Sequence, residues 1–373
     1  MSPRSGPVGV GIIGAGNISE QYLSTLGRFP DTDVRIVGDA VLDRAEAQAR
    51  RHGVGAWGSA GDVLAHDGVE IVVNLTIPAA HADVSTAAVA AGKHVWSEKP
   101  LAVDPVEART LLDRAAAAGL RVGVAPDTVL GPGVQTARRA IARGDIGTVL
   151  SAQTFMQTPG PDAWHPNPEF LFAEGAGPLF DMGPYYLTTL VSLFGSVTRV
   201  SAVGSTGRKV RTIRAGDRAG TEFAVAVPTH VSVLATFESG ASSQSVYSFD
   251  SHLLRSGVVE ITGTEGTLIV PDPNTFAGDV RITRGHLADG EAQWEPVESV
   301  GIEAGRGLGA LDMARAIRTG EPHIATGELG HHVLDVLTAI DRSVVSGETE
   351  HVDSRAGTIP LVPPDRDPYA ATL

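Results

Sequence analysis

The sequence predicts an α/β chain of two domains, a doubly wound parallel sheet followed by an α+β domain whose sheet is large and mostly antiparallel. Three observations carry this. The first third alternates short apolar strand signals with helical stretches at close intervals, the pattern of βαβ units. From about Pro126 the texture becomes β-rich, with long Gly/Pro-containing connections and few crossover helices, which disfavours a second parallel sheet. The 373 residues are too many for one ordinary domain and enough for two.

Taken in order, Val8 to Ile13, Asp33 to Val37, Val69 to Leu75, His94 to Ser97 and Arg121 to Val124 read as strands. The helices between them have start signals: Ser59 with Asp62 forms a capping-box pattern, and Asp104-Pro105 with Glu107 combines an N-cap, an N1 proline and a first-turn acid. A helix over Val134 to Arg143 precedes strands at Thr148 to Gln157, Thr198 to Val203, His230 to Ser239, Ser243 to Phe249, Val258 to Gly263 and Thr267 to Val270. Helical patterns return at Leu308 to Thr319 and Gly327 to Ser346, and Ala356 to Leu373, with Pro363-Pro364, reads as an extended tail. The expected division is 1–126, 127–355 and a tail over 356–373.

Composition narrows the function. With 29 basic against 43 acidic residues, net −14, the chain would be repelled by a phosphate backbone, so nucleic acid is not expected as a partner. The absence of cysteine removes disulfides, thiolate metal sites and cysteine nucleophiles together. No apolar run approaches a membrane span, and Met1 to Pro7 leads into a strand without an apolar leader core, so a cytoplasmic protein is expected. His331-His332 is a poor metal pair because adjacent helical residues point to different faces, and no metal is expected. No local signature of Ser-His-Asp chemistry is present either.

Gly14-Ala15-Gly16-Asn17-Ile18-Ser19 follows an apolar strand and opens a helix, which gives a G-x-G-x-x-[small] pattern the context of a dinucleotide site. Gly14 permits the tight turn, Gly16 lets the backbone approach a pyrophosphate, and Ser19 allows close helix-to-strand packing. Asp39 ends the second strand 23 residues after Gly16, where a carboxylate can accept from a ribose diol. Its competing role is to cap the next helix, but Asp43 is better placed for that, which leaves Asp39 spare. Ala40 stands where a basic residue would favour a 2′-phosphate, so NAD is expected over NADP. Lys99, in Gly92-Lys93-His94-Val95-Trp96-Ser97-Glu98-Lys99-Pro100, places a fixed cation at the carboxyl end of a parallel strand, where open α/β sheets bind ligands.

These stretches, together with Asn74 to Pro78 and His81, Gly175 to Tyr185 and the late helix Gly307 to Thr319, resemble the glucose-fructose oxidoreductase and inositol dehydrogenase superfamily, Gfo/Idh/MocA. The resemblance covers nearly the whole chain. It implies a Rossmann domain, an open-faced sheet domain, an active site in the crevice between them, and homodimers or homotetramers formed through the exposed sheet. It implies a carbohydrate or polyol substrate that gains or loses hydride at one carbon. Contacts to the cofactor are then expected from Asn17, Ile18, Thr76, Pro78, His81, Glu98 and Lys99 besides the glycines and Asp39. In such proteins a cis peptide often precedes the proline of Glu-Lys-Pro.

Many relatives carry Asp-x-x-x-His in the sheet domain, with the histidine moving the proton; here Asp181 is followed four residues on by Tyr185. The spacing puts both on one helix face. An unperturbed tyrosine titrates near ~10 and is a poor base at neutral pH, but an adjacent Lys99 ammonium would favour the phenolate. The expected catalytic set is Lys99, Tyr185 and Asp181, with aromatic packing at a helix start as the competing reading of Tyr185 and Tyr186. Trp164 and His165, in a loop-like run before the Gly175 motif, either wall a sugar pocket or belong to a proline-stiffened surface loop. Asp127, after Ala125-Pro126, either faces substrate or caps a turn. Two further functions stay open on the same scaffold: redox-assisted glycoside cleavage with recycled NAD, and a nucleotide-responsive regulator without turnover.

Overall fold

The computed structural model describes residues 5–284 and 292–373, so the first four residues of the chain's opening segment lie outside it. Two compact units are formed. One runs to Gln135 and takes in Val300–Leu334 and Ala356–Leu373; the other comprises Thr136–Ser299 and Asp335–Arg355.

The first unit alternates β1 (Val8–Ile13), α1 (Ser19–Leu26), β2 (Thr32–Gly38), α2 (Leu42–His52), β3 (Trp57–Gly58), α3 (Ala60–Ala65), β4 (Ile71–Asn74), α4 (His81–Ala90), β5 (His94–Ser97), α5 (Pro105–Ala117) and β6 (Val122–Val124). All pairings between these strands are parallel, in the order β3-β2-β1-β4-β5-β6. Strands β1 and β4 are buried throughout, as expected of a parallel sheet covered on both faces. The helix starts follow the sequence signals. Ser59 and Asp62 satisfy each other's amides reciprocally, and Asp104 accepts from the Val106 N–H ahead of Pro105.

A helix α6 (Pro132–Ala142) leads into the second unit, which contains β7 (Val149–Gln157), α7 (Gly177–Phe194), β8 (Val197–Ser205), β9 (Val210–Thr212), β10 (Glu222–Ala224), β11 (His230–Phe237) and β12 (Ser242–Ser248). It continues with β13 (Arg255–Gly263), β14 (Gly266–Val270), β15 (Arg281–Arg284) and β16 (Glu295–Pro296). The chain then forms α8 (Leu308–Thr319), α9 (Gly327–Ser346) and β17 (Glu350–His351). Among the described residues, nine strands make one sheet in the order β16-β15-β14-β13-β7-β12-β11-β8-β17. Its pairings are antiparallel except for β7 with β12. The sheet is therefore mixed and mostly antiparallel, as the sequence texture suggests. Alternation decides its faces: Ala152, Thr154 and Met156 of β7, Ser245 and Tyr247 of β12, and Val231, Val233 and Ala235 of β11 are buried on the face that packs α7. On the opposite face Leu234 and Val203 are exposed, at 57% and 69%.

The last segment, Ala356–Leu373, has no helix or strand but is tied to the first unit. Buried Asp31 accepts from the Thr372 amide at 2.9 Å and hydroxyl at 2.6 Å and pairs with Arg315 at 2.7 Å, while Arg315 also donates to the Asp367 and Ala370 carbonyls. Ile359, Val362, Tyr369 and Leu373 pack against the core around Val8, Tyr22 and Phe29. None of the described helices is long and apolar enough to cross a membrane.

Candidate active site

The adjacency β2-β1-β4-β5 brings four sequence-distant segments to one carboxyl edge of the parallel sheet: Asp39, the Gly14-to-Ser19 turn, Thr76 to Pro78, and Glu98 to Pro100. The two glycines of the turn answer to different demands. Gly14 has φ +108°, and a Cβ there would lie 2.5 Å from the Leu75 carbonyl carbon and oxygen, so the fold itself requires glycine. A Cβ on Gly16 would meet no protein atom within 4 Å. Protein packing does not ask for glycine at 16; an open cradle over a helix N-terminus does, and that fits a pyrophosphate. Asn17 is exposed and Ile18 half-buried at the same helix start, and buried Ser19 turns its hydroxyl inward to the Gly16 carbonyl at 2.6 Å.

Asp39 stands at the expected place, but not as a spare carboxylate. Its Oδ2 accepts from the Ala15 N–H at 2.7 Å and its Oδ1 from the Val41 N–H at 2.8 Å. The expectation that Asp43 caps the second helix is corrected as well: α2 begins after Val41 with no side-chain cap, and Asp43 lies within its first turn. The Asp39 carboxylate thus links the glycine turn to the start of α2, and each oxygen retains a lone pair for a further donor.

The Thr76 loop is shaped from below. Buried Asn74 accepts from the Thr76 amide (3.2 Å) and hydroxyl (2.7 Å) and donates to the His81 carbonyl and the Ser85 hydroxyl, both at 3.0 Å. Pro78 is exposed. His81 is not: its ring is buried, with Nδ1 2.6 Å from the Pro100 carbonyl and Nε2 3.0 Å from the Thr76 carbonyl. It therefore joins the two loops.

The Lys99–Pro100 peptide is cis, as the resemblance implies. Lys99 is partly exposed, whereas Glu98 is buried; its Oε1 accepts from the Tyr22 hydroxyl at 2.7 Å and its Oε2 from the Lys99 amide at 3.2 Å. The Trp96 indole donates to the same tyrosine oxygen at 3.3 Å. Burial, then the Glu98 carboxylate, holds the Tyr22 phenol well above its ordinary range, so it is a neutral donor. Asp127 is fully buried and has the capping role: its Oδ2 accepts from the Gly307 and Gly309 amides, at 2.8 and 3.1 Å, where α8 begins. A Cβ on Gly309 would lie 1.9 Å from the Trp96 ring, so this cap seats the helix start on the indole. Burial pushes the Asp127 carboxyl up to about 6 despite those amides, and its Oδ1 has no hydrogen-bond partner.

In the second unit, α7 carries Asp181 and Tyr185 one helical turn apart, Asp181 partly exposed and Tyr185 buried at 6%. Tyr185 lies mid-helix rather than at a helix start, because α7 already begins at Gly177. Its neighbour Tyr186 is packing: fully buried, it donates to the Phe155 carbonyl and accepts from the Gly257 amide at 2.7 Å. Trp164, 67% exposed, meets His165 edge-on at 5.4 Å, and His165 meets Phe170 at 5.5 Å, so these rings form one cluster. Buried Arg211 supports this loop. It pairs with Asp162 and Asp250, donates to the Pro159 and Phe249 carbonyls, and lies 4.9 Å from the Phe172 ring centroid.

Sequence reasoning missed Tyr22, Trp96 and Arg211. Tyr22 sits on the apolar stripe of a short amphipathic helix and reads as core, while Arg211 reads as one surface cation among many. Only the tertiary fold supplies their partners.

Residues 8–125 match the family model described as an oxidoreductase family with an NAD-binding Rossmann fold, and residues 134–269 match the Gfo/Idh/MocA C-terminal domain. The trans-1,2-dihydrobenzene-1,2-diol dehydrogenase of Sus scrofa is 28% identical over 271 residues, covering 70% of this chain and 74% of its own. An NAD-binding oxidoreductase from Klebsiella pneumoniae superposes with a TM-score of 0.80 at 25% identity, covering 93% of this chain and 99% of its own. A levoglucosan dehydrogenase, solved with NADH and L-sorbose, shares the fold with a TM-score of 0.81 at 23% identity, covering 94% and 100%. The chain belongs to the Gfo/Idh/MocA family of NAD-binding oxidoreductases.

Proposed function

We propose that this oxidoreductase transfers hydride between NAD and a carbinol or ketone carbon of a sugar, polyol or glycoside. The reading is carried by the order of groups along one sheet edge, from Asp39 through the Gly14-to-Ser19 turn and Thr76 to Lys99. That order follows a dinucleotide from its adenosine ribose to its nicotinamide. Asp39 would take the ribose diol, the amides at Asn17 and Ile18 the pyrophosphate, and the loop of Thr76 and Pro78 the nicotinamide end. Bound NAD supplies the hydride acceptor or donor. Ala40 offers no cation for a 2′-phosphate, which supports NAD over NADP.

The chain's own part is proton and charge management. Lys99 holds the reacting oxygen, Tyr185 moves the hydroxyl proton, and Asp181 orients the substrate or Lys99. The aromatic cluster of Trp164 and His165 offers faces to the C–H surface of a sugar ring. The diol dehydrogenases among the relatives act, by name, on a ring carbinol beside a second hydroxyl, which adds cyclic vicinal diols to the compounds to be tried. The assembly is proposed to be a homodimer or homotetramer that covers the exposed sheet face around Val203 and Leu234.

The test is a panel of free sugars, inositols, glycosides and cyclic diols offered with NAD and followed at the NADH absorbance band. Turnover of a ring carbinol that is lost in Lys99→Ala is the expected result. A panel without turnover in either direction, with NAD binding demonstrated, overturns the proposal.

A further inference from the structure

Tyr22 belongs to the helix whose first turn forms the dinucleotide cradle, yet its hydroxyl ends 76 residues away on Glu98. All three polar groups of this link are buried: Tyr22 and Trp96 show no exposure, and Glu98 is 8% exposed. The carboxylate uses its two oxygens on two different things, the Tyr22 hydroxyl on α1 and the Lys99 amide on the loop after β5. A carboxylate held on one side by a fixed phenol and on the other by a backbone N–H has little freedom to rotate. The Trp96 indole in turn donates to the phenol oxygen, and its ring packs directly on Gly309 and Gly123, where a Cβ would collide with it.

We infer that Tyr22 is a positioning residue that, through the Glu98 carboxylate, sets the placement of Lys99 from the helix at whose start the dinucleotide phosphates would rest. The inference rests on the proposed place of Lys99 beside the cofactor. Its consequence is a coupling: a ligand that settles on the α1 N-terminus acts on Lys99 through one phenol and one carboxylate. Tyr22 touches neither NAD nor substrate in this scheme.

Lys99 can be observed alone, because the chain has only three lysines, Lys93, Lys99 and Lys209. With 13C-methylated lysines, Lys93→Arg and Lys209→Arg assign the signals, and the Lys99 titration is followed by NMR with and without NAD. Tyr22→Phe removes one hydroxyl from the link. It should move the Lys99 midpoint in the free protein by about half a pH unit or more, since a displaced carboxylate changes the field on the ammonium. It should also at least halve the change that NAD produces, while NAD affinity stays within about threefold, a difference of ~0.7 kcal/mol. In a Glu98→Gln background the tyrosine substitution should have no further effect on Lys99, because its route is gone. Tyr22→Phe midpoints that coincide with wild type, free and NAD-bound, overturn the inference. Should Tyr22→Phe not fold, Tyr22→Phe/Glu98→Gln leaves no buried carboxylate short of a donor and is compared with Glu98→Gln alone; different Lys99 midpoints in that pair overturn it as well. A wild-type Lys99 that ignores saturating NAD counts against the proposed function, whereas the free-protein comparison still decides the role of Tyr22.

Discussion

Replacing Gly14 and Gly16 separately by alanine should divide folding from cofactor binding within a single turn. At Gly14 the new methyl would sit 2.5 Å from the Leu75 carbonyl group and 2.9 Å from the Thr76 amide nitrogen, at φ +108°. Holding a non-glycine residue in that region costs about 1–3 kcal/mol, and the backbone shift forced by overpacking costs about 1–3 kcal/mol more. The loss of roughly 2–6 kcal/mol should lower the melting temperature by roughly 5–20 °C for a unit of this size. At Gly16 the methyl meets nothing within 4 Å and φ is not positive, so stability should change by no more than about 0.5 kcal/mol. The same methyl fills the cradle, and NAD affinity should fall at least ~10-fold, or 1.4 kcal/mol. Circular-dichroism melts and calorimetric NAD titrations on the two variants read both quantities. A Gly16→Ala protein that binds NAD like wild type, or a Gly14→Ala protein that melts with wild type, would refute the division of labour.

Four further outcomes are expected. Once a substrate is in hand, Tyr185→Phe should lower kcat by about 10²–10⁴-fold with NAD affinity nearly intact, Lys99→Ala should cost at least as much, and the double variant should lose far less than the product; a near-normal kcat in Tyr185→Phe, with chemistry rate-limiting, moves suspicion to His165 or Asp181. NAD should bind more tightly than NADP, and Asp39→Ser with Ala40→Arg should reverse the preference; equal or tighter NADP binding to the unaltered chain contradicts the role given to Asp39. The buried Asp127 carboxyl binds its proton more tightly folded, at about 6, than unfolded, near ~4, so its contribution to stability falls as pH rises through that window, by about 3 kcal/mol in all; melts of Asp127→Asn between pH 4 and 7 should lack this part of the slope, and parallel profiles for the two proteins would exclude it. Light scattering at micromolar concentration should show a dimer or tetramer, and a sole species of 38.7 kDa would remove the proposed sheet-face assembly.

What the sequence made legible was local. The strand, glycine turn and helix around Gly14 to Ser19 stand within one short stretch, and the spans of α8 and α9 follow from apolar periodicity closed by glycine at the end of each. The capping residues Ser59 and Asp104 were readable because their partners are two or three residues away. Pairings across long separations leave no periodic trace. Arg315 reaches Asp31 across 284 residues, and the last segment folds back on the first unit through that same carboxylate. The parallel pairing of β7 with β12 hides inside an otherwise antiparallel order, since alternation shows which face is buried and not which neighbour lies beside it. Asp39 shows the limit at a single residue: its position was legible, but the Ala15 and Val41 amides on its two oxygens were not. Asp127 was left between cap and substrate contact because the helix it caps begins 180 residues later.

Hydride transfer between a carbinol carbon and nicotinamide leaves an isotopic record. The best compound of the panel, carrying deuterium on its reacting carbon, is turned over with NAD and the reduced cofactor is weighed by mass spectrometry. Direct transfer gives NADH one mass unit heavier and a primary kinetic isotope effect wherever chemistry limits the rate. NADH formed without the label, or consumption of the compound with no change in the cofactor, would contradict it.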